Sequence, residues 1–435
     1  MQTTDAMARA EPRSRLRVAI VTTFYPPHNF GGDGRYVKSF AHALARAGCE
    51  VEVIYCDDAW RALSGNDSAP EGPPVEEAPG VLVHRISSGS AIGSALLTQQ
   101  LGRPVMQGRK LEALLARDFD VIHYHNISLV GGPGVLALGD AIKLYTAHEH
   151  WLVCANHVLW RHNRELCDGR QCVRCSIAYR RPPQLWRATG LLEKCAENVD
   201  VFIALSESVA ANHAAFGFRR EMKLMGSFLP AAEAGATADV TVYSHPRPYY
   251  LMVGRLENIK GMQDVIPAFD DDSPADLLIA GSGVYEGELR RLAEGRKSVH
   301  FLGQTAPVDL PGLYRGAVAL ITPSRCYEVF PMVALEAFRE GTPIIARDLG
   351  PYPQIVRESG AGLLFNDAAS LASALHSLAT DPELRETLGR NGANALATRW
   401  SEATAMREYF TLVGDTARHR QRFDVMKRAE ALLAH

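Results

Sequence analysis

Short runs of apolar, often β-branched residues alternate along the chain with stretches in which apolar residues recur at helical spacing. Residues 16–23 form the first apolar run, which is typical of a parallel strand buried on both faces. Residues 35–47 then show a helical pattern that ends before Gly48, and Glu50–Cys56 is a second apolar run. This strand–helix–strand order predicts an α/β fold.

The same alternation occurs in two successive series, which predicts two domains. The first domain spans 16–229 and contains an insertion near 149–186, where Cys, His, Arg and Pro interrupt the apolar pattern. Residues 230–248, rich in Ala, Pro and Thr, are expected to form a linker. The second series spans 249–398 and includes a helix expected at 262–269. Each series predicts a doubly wound, Rossmann-like sheet, and such sheets bind ligands at the carboxyl ends of their strands, so we expect a cleft between the domains.

The composition narrows the possible classes of protein. A chain of 435 residues is long enough for two domains, and 47% apolar with 22% charged residues is typical of a soluble globular protein. Lys and Arg total 46 against 49 Asp and Glu, so the basic excess of a nucleic-acid-binding protein is absent. No apolar run reaches the roughly 18 residues that span a bilayer, and the polar N-terminus lacks the apolar segment of a secretory signal. We therefore expect a cytoplasmic protein.

Two pairs of residues suit an anionic ligand. Gly31 and Gly32 follow the first strand and precede a helix, where backbone N–H groups favour an anion, although a plain tight turn explains them equally well. Arg255 and Lys260 follow the first strand of the second series. Two cations there could neutralise a diphosphate without a metal ion, although two solvated surface charges fit the same pattern.

A third segment carries two glutamates. Glu328 and Glu336 are separated by seven mostly apolar residues, and Pro331 suits the first turn of a helix. We expect Glu328 in the loop before that helix, where a carboxylate accepts hydrogen bonds from sugar hydroxyls. Glu336 is expected within the helix, where it could reach a ribose diol. Two solvent-facing glutamates are the alternative, which the apolar residues between them make less attractive.

In their order along the chain, these segments resemble the GT-B glycosyltransferases of family 4. This is a large retaining group that includes sucrose synthase and bacterial mannosyl- and glucosyltransferases. The matching segments cover nearly the whole chain and are the GG pair of the first loop, DVIHYH, TAHEH, ALSES, VGRLENIKG, LLIAGSG, VHFLGQ, EVFPMVALE and EGTPII. The resemblance implies a GT-B fold and C-terminal helices, within 399–435, that return to the N-terminal domain.

The resemblance also implies roles for individual residues. Glu328 would contact the transferred sugar, and His125 would lie near it; a buried core histidine is the alternative for His125. Arg255 and Lys260 would bind the diphosphate and act in catalysis. The residues implied to bind the donor are Gly31, Gly32, Arg255, Lys260, Gly281, Phe330, Met332, Val333 and Glu336. Pro331 stands where many members have glycine, which removes one backbone donor near the sugar.

The family mechanism implied by the resemblance is a front-face displacement in which the leaving diphosphate takes the acceptor proton. Such a reaction needs neither a protein nucleophile nor a catalytic metal, because positioning and electrostatic stabilisation suffice. A sugar-nucleotide hydrolase or epimerase, and a zinc-stabilised scaffold without activity, are the alternatives. The donor base stays open among UDP, GDP and ADP. The acceptor stays open among a glycan, a lipid-linked sugar and a small natural product.

The insertion carries a candidate metal site and a basic cluster. Cys154, Cys167, Cys172 and Cys175 form C-x12-C-x4-C-x2-C, which suits a structural, tetrahedral zinc; unpaired thiols or a disulfide are the alternatives. A nearby histidine could replace one thiol, namely His148, His150, His157 or His162. The other cysteines, at 49, 56, 195 and 326, are expected to be buried. Six arginines of the insertion suit an anionic acceptor, lipid headgroups at the inner face of a membrane, or a solvated surface.

Overall fold

The computed structural model describes residues 14–65, 75–230 and 241–434. In chain order, the elements before residue 231 are β1 (Arg17–Thr22), α1 (Gly32–Arg46), β2 (Glu50–Cys56), α2 (Asp58–Ser64), β3 (Val81–Ile86), α3 (Ala91–Leu101), α4 (Gly108–Leu115), β4 (Val121–Tyr124), β5 (Ile142–Ala147), β6 (Trp160–Arg161), β7 (Glu165–Leu166), α5 (Cys172–Ala178), α6 (Leu191–Ala196), β8 (Val201–Ala204), α7 (Glu207–Ala215) and β9 (Met222–Leu224). Residues 231–240 of the predicted linker lie outside the described residues.

The second half of the chain repeats the alternation. Its elements are β10 (Tyr249–Val253), β11 (Asp276–Ala280), α8 (Glu286–Leu292), β12 (Val299–Gly303), α9 (Leu310–Gly316), β13 (Leu320–Thr322), α10 (Met332–Arg339), β14 (Ile344–Arg347), α11 (Tyr352–Ser359), β15 (Gly362–Phe365), α12 (Ala368–Thr380), α13 (Pro382–Arg399), α14 (Glu402–His419) and α15 (Phe423–Leu433). Across the three described ranges, no helix combines the length and the apolar content needed to cross a bilayer.

Two large sheets confirm the predicted α/β class. The first has the strand order β3-β2-β1-β4-β5-β8-β9 and the second the order β12-β11-β10-β13-β14-β15. Each pair of neighbouring strands within them is parallel, for example β1 with β2 and β10 with β11. The strand order reverses beside β1 in the first sheet and beside β10 in the second. Such reversals open a crevice at the carboxyl ends of the strands.

The C-terminal helices pack on the first sheet although they follow the second one in sequence. Tyr409 and Phe410 of α14 belong to the same buried cluster as Val18 of β1 and Phe40 of α1. The chain passes between the sheets at two adjacent points, since the Leu229 N–H donates to the Trp400 carbonyl at 3.2 Å. The N-terminal core is therefore completed by residues from the end of the chain.

The helix predicted over residues 262–269 is wrong. Two 3-10 turns, Met262–Asp264 and Ile266–Ala268, occupy this stretch. Pro267 has no N–H and cannot make an α-helical backbone hydrogen bond, and Gly261 enters the stretch with a left-handed φ of 73°. Apolar spacing alone therefore gave the wrong type of helix.

Substitution of Tyr409 tests whether the C-terminal helices stabilise the N-terminal core. Its ring is fully buried, stacks on His123 at 5.6 Å between centroids and meets Phe40 edge-on at 5.2 Å. We expect Tyr409→Ala to lower the free energy of unfolding by about 3–5 kcal/mol, because the remaining cavity loses these contacts. Denaturant unfolding of the two proteins measures the difference.

Tyr409→Phe is the matched control. The Tyr409 hydroxyl has no hydrogen-bond partner among the described residues, so its removal should leave the free energy of unfolding unchanged or raise it. A loss as large as that of Tyr409→Ala would contradict this account of the packing.

Candidate active site

The carboxyl ends of the two sheets meet at one cleft of roughly 770 Å³. Helices α2 and α3 and the loops after β1, β4 and β5 form its first wall, and the loops after β10 and β13 form its second wall. Of the predicted site residues, those that line the cleft are Gly31, Gly32, Arg255, Lys260, Glu328 and Phe330.

A close backbone approach holds Lys260 at the second wall. The next residue, Gly261, has a φ of 73°, and a Cβ atom there would lie 2.0 Å from the carbonyl oxygen of Pro323. Only glycine fits this position without displacing the backbone. The Arg325 N–H also donates to the Ile259 carbonyl at 2.8 Å. The turn that carries Lys260 is therefore fixed against the loop after β13.

Lys260 and Glu328 form an ion pair in the cleft. The Lys260 Nζ lies 2.7 Å from the Glu328 Oε1, and the Ser324 hydroxyl donates to the same oxygen at 2.7 Å. The side chains are 25% and 19% exposed. Burial disfavours charge on both groups, but their mutual attraction outweighs it, so the pKa of Lys260 is raised and the pKa of Glu328 is lowered. Both groups are charged at neutral pH.

Arg255 is a second cation on this wall, and its side chain is more exposed than that of Lys260. Its Nη1 lies 2.7 Å from the Glu257 Oε1, and its side chain is 63% exposed. Exposed pairs of this kind contribute little to stability, so the guanidinium can exchange Glu257 for an anionic ligand at small cost.

Gly31 and Gly32 form the part of the first wall at the start of α1. A Cβ atom at Gly32 would meet nothing within 4 Å, and one at Gly31 would come no closer than 3.8 Å to Asp33. In the first helical turn the Gly34 N–H donates to the Asp33 Oδ1, whereas the N–H groups of Gly32 and Asp33 precede the first intrahelical backbone hydrogen bond. This open helix start can receive an anion.

Two carboxylates, Asp33 and Glu149, line the same wall. Asn126 donates to the Asp33 Oδ2 at 3.3 Å, and the Gly34 N–H donates to its Oδ1 at 2.8 Å. Burial, and then the nearby charge of Glu149, raise the pKa of Asp33. The Glu149 Oε2 lies 2.6 Å from the Nδ1 of His157. The first wall is therefore acidic at this point.

His125 lies behind the cleft surface. It is 1% exposed, and its Nδ1 lies 2.7 Å from the Nε2 of His148, which does line the cleft. Burial lowers the pKa of His125 well below its ordinary value and lowers that of His148 to about 4. Both imidazoles are neutral at pH 7. His125 therefore does not line the cleft itself but contacts His148, which does.

Four residues predicted to bind the donor are not among those that line the cleft, namely Gly281, Met332, Val333 and Glu336. Glu336 lies on α10, where its Oε2 accepts a hydrogen bond from the Tyr314 hydroxyl at 2.7 Å. Gly281 has a φ of 141°, and a Cβ atom there would lie 1.9 Å from the carbonyl oxygen of Gly254. The packing of two loops therefore accounts for glycine at 281.

Ser206 joins the two walls. Its hydroxyl accepts a hydrogen bond from the Val209 N–H at the start of α7 and donates to the Val329 carbonyl at 3.0 Å. The Val329 side chain packs against the core of the first sheet. The residue that follows Glu328 is therefore anchored to the opposite wall.

The four cysteines predicted to bind zinc surround a smaller cavity of about 20 Å³ and form no disulfide. None of the histidines considered as alternative ligands lines this cavity. The remaining cysteines, at 49, 56, 195 and 326, are buried, as predicted.

Sequence reasoning assigned no role in the cleft to several residues of the first wall. Asn126 follows β4 directly, and His148 and Glu149 follow β5. Their positions after parallel strands were the available signal, because this sheet edge is where ligands bind. Ser324, which donates to Glu328, lies in the loop after β13, and no sequence motif marked it as a residue of the site.

Two family models match the chain, one for each sheet. The model described as Glycosyltransferase Family 4 matches residues 30–224, and the model described as Glycosyl transferases group 1 matches residues 239–395. The chain is also 28% identical over 410 residues to the D-inositol 3-phosphate glycosyltransferase of Pseudarthrobacter chlorophenolicus, a match that covers 86% of this chain and 89% of that protein.

Solved structures extend the likeness to the fold. Sucrose-phosphate synthase of Thermosynechococcus elongatus matches with a TM-score of 0.67 at 22% identity, over 94% of this chain and 99% of that one. Anabaena HepE in complex with UDP-glucose matches with a TM-score of 0.62 at 15% identity, over 92% of this chain and 100% of that one. The two halves of the sequence and the arrangement of the two sheets thus lead to one assignment: the chain belongs to the GT-B glycosyltransferases of family 4, group 1.

Proposed function

We propose that this glycosyltransferase moves a sugar from a UDP-sugar to a hydroxyl of an acceptor that carries an apolar group, with retention of the anomeric configuration. The observation that carries the proposal is the Lys260–Glu328 ion pair, which shares the cleft with Gly31 and Gly32 at the start of α1. A cation beside a carboxylate on one wall, with an open helix start on the other, suits a sugar diphosphate.

In the proposed reaction, the acceptor oxygen bonds to the anomeric carbon while the bond from that carbon to the diphosphate oxygen breaks. The leaving diphosphate oxygen takes the acceptor proton, so no protein base is required. Lys260 and Arg255 stabilise the charge that develops on the diphosphate. Glu328 accepts hydrogen bonds from the transferred sugar. Because Lys260 already pairs with its carboxylate, Glu328 is a poor nucleophile, which supports retention without a glycosyl-enzyme intermediate.

The choice of donor rests on the likeness to a solved structure that holds UDP-glucose. HepE was solved with UDP-glucose, which favours a uridine nucleotide here. Glu336 is proposed to hold the ribose, with the Tyr314 hydroxyl orienting its carboxylate. The remaining donor contacts are proposed at Phe330, which lines the cleft, and at Gly281, Met332 and Val333, which lie outside its lining.

The choice of acceptor rests on the apolar part of the first wall. Phe30, Leu63, Ile92 and Leu96 line the cleft with exposed side chains, and Ile92 is 71% exposed. Helix α3, which carries Ile92 and Leu96, contains no charged residue. An exposed apolar surface continuous with a ligand site is typical of a surface that binds an apolar ligand group. Where that group is a lipid, the enzyme would contact a membrane peripherally.

The charges on the first wall argue against a phosphorylated acceptor. Of the six arginines in the insertion, Arg181 lines the cleft, whereas Arg161 pairs with Glu165. Glu149 would repel a phosphate, and both Glu149 and Asp33 would accept hydrogen bonds from hydroxyls. We therefore propose an acceptor that differs from the inositol phosphate in the name of the Pseudarthrobacter relative.

Substitution of the two cations tests the diphosphate site. We expect Lys260→Met to lower kcat/KM by roughly 10²–10³-fold, since one preorganised donor contributes about 3–4 kcal/mol to the transition state. It should also lower the melting temperature, because Glu328 loses its partner. Arg255→Ala should lower kcat/KM to a similar degree without changing the melting temperature, because its pair is exposed.

Two further variants separate activity from stability in this test. The double variant Lys260→Met/Glu328→Gln should recover the melting temperature but not the activity. Arg390→Ala removes an exposed cation that pairs with Glu386 on α13 and should change neither quantity. Near-normal turnover in Lys260→Met or Arg255→Ala would contradict the proposed site.

Steady-state kinetics at varied donor concentration tests the two glutamates. Glu336→Ala should raise the donor KM about tenfold or more with little change in kcat, because a ribose contact is equally strong in the ground and transition states and contributes about 1.5–3 kcal/mol. Tyr314→Phe, which leaves the carboxylate in place, should raise KM less. Glu328→Ala should lower kcat. If Glu336→Ala instead lowered kcat and Glu328→Ala raised the donor KM, Glu336 would contact the transferred sugar and Glu328 would hold the ribose.

The acceptor class can be tested with UDP-glucose and a set of simple acceptors. Release of UDP is measured with free glucose, with glucose 6-phosphate and with alkyl glucosides of increasing chain length. We expect release to increase with chain length, because each buried methylene contributes about 0.8 kcal/mol. Leu96→Ser should remove this dependence, whereas Leu224→Ser, an exposed leucine on β9, should preserve it. NMR of the product should show the anomeric configuration of the donor.

The same assay distinguishes the alternative functions. Equal release of UDP without any acceptor would indicate a hydrolase. If UDP neither stabilises the protein against heat nor is released from UDP-glucose, the chain would be a scaffold without activity. Preference for glucose 6-phosphate would overturn the proposed apolar acceptor.

A further inference from the structure

We propose that Cys154, Cys167, Cys172 and Cys175 bind one structural zinc ion, and that this ion holds the first wall of the cleft in shape. The metal site is independent of the proposed reaction, whereas its effect on the acceptor rests on the proposed function.

The four thiols come from separate parts of the insertion and meet at one point. Cys154 follows β5, Cys167 lies after β7, and Cys172 and Cys175 lie on α5. All four line the same cavity of about 20 Å³, which has room for a single ion. Four thiolates form the closed ligand set that tetrahedral structural zinc prefers.

The surroundings of Cys175 suit a thiolate, and a cation lies near two of the other sulfurs. Cys175 Sγ accepts hydrogen bonds from the His162 N–H at 3.2 Å and from the Asn156 side-chain amide at 3.3 Å. The buried guanidinium of Arg187 is close enough to interact electrostatically with Cys154 and Cys172. A zinc ion with four thiolates carries two net negative charges, so these donors and this cation offset the charge of the occupied site.

The sulfurs are not yet at metal-binding distances. In the described ranges, the group of three or more candidate ligands within 4.8 Å of one another is His245, Asp276 and His300, not the cysteines. That group lies at the amino end of β11 and β12, away from the cleft, and Arg247 already pairs with Asp276 at 2.7 Å. Tetrahedral zinc with bonds of about 2.3 Å would require sulfurs about 3.8 Å apart. Binding must therefore draw the four thiols together around their cavity.

Residues 161–185 of the insertion have little else to hold their shape, because Ser176 is the one buried residue among them. Its strands, β6 and β7, have two residues each, and α5 has seven. Val173 and Ile177 of α5 are exposed and contribute no core. Small segments without a core are commonly ordered by a metal, whose binding energy then acts as folding energy.

The segment anchored by Cys154 is also part of the active-site cleft. Residues 155–158, which follow Cys154 directly, all line the cleft. Within them, His157 contacts Glu149 at 2.6 Å through its ring and accepts the His150 N–H at 2.9 Å through its carbonyl. A metal that fixes Cys154 therefore fixes the cleft residues next to it, on the wall where the acceptor is proposed to bind.

Metal content tests the site without reference to activity. The full chain is purified without a metal-affinity tag and analysed for bound elements, and we expect one zinc per chain. Replacement of the zinc by Co²⁺ should give the visible absorption of a tetrahedral cobalt–thiolate site, which requires no variant to fold. Alanine at any of the four cysteines should abolish zinc binding, whereas Cys195→Ala, a buried thiol outside the insertion, should retain it.

Hydrogen exchange and kinetics test the effect on the cleft. Removal of the zinc with a thiol-reactive mercurial and a chelator should increase amide exchange in residues 149–158 and raise the acceptor KM, with the donor KM unchanged. Chains without zinc, chains that bind iron instead, or four freely reactive thiols in the native protein would overturn the metal site. Zinc binding with unchanged exchange at 149–158 would overturn its role in the cleft. Zinc binding without transfer to any acceptor would leave the metal site intact and count against the proposed function alone.

Discussion

In both sheets the strands pair in parallel, so every loop that leaves a carboxyl end emerges at the same edge. This constraint gathers Gly31, His148 and Glu149 on one wall although they are far apart in sequence, and it gathers Lys260 and Glu328 on the other. The cleft exists because the two edges face each other. The contact of Trp400 with the chain near Leu229 and the packing of α14 on the first core hold the sheets in that relation.

Within the cleft, pairing lets Lys260 and Glu328 be largely buried and still remain charged. The proposed donor site needs a cation that is shielded from water and a carboxylate that stays ionised, and each is costly to bury alone. Placing them 2.7 Å apart satisfies both requirements. The close approach of Gly261 to Pro323 then matters because it fixes the separation of the two loops that carry the charges. Arg255, which is exposed, complements them with a cation that can move.

The sequence predicted most of the core strands because a buried parallel strand has a local apolar signature. It did not predict β3 or α3, since β3 is partly exposed along its length and α3 lacks a polar face. The pairing of Lys260 with Glu328, which are 68 residues apart, is a property of the folded sheet. His125 illustrates the same limit, because its place behind His148 depends on the direction of a side chain at a strand end. Which residues share an edge can thus be inferred from sequence, but which of them face the ligand cannot.

The hydrogen bond from Ser206 to the Val329 carbonyl has a consequence for motion. Any hinge-like separation of the two sheets must break that bond or carry the Val329 backbone with it, and Glu328 is the preceding residue. The angle between the two halves of the molecule and the position of the Glu328 carboxylate are therefore mechanically linked. By thermodynamic reciprocity, a ligand that fixes Glu328 biases the hinge, and a ligand that closes the hinge biases the position of Glu328.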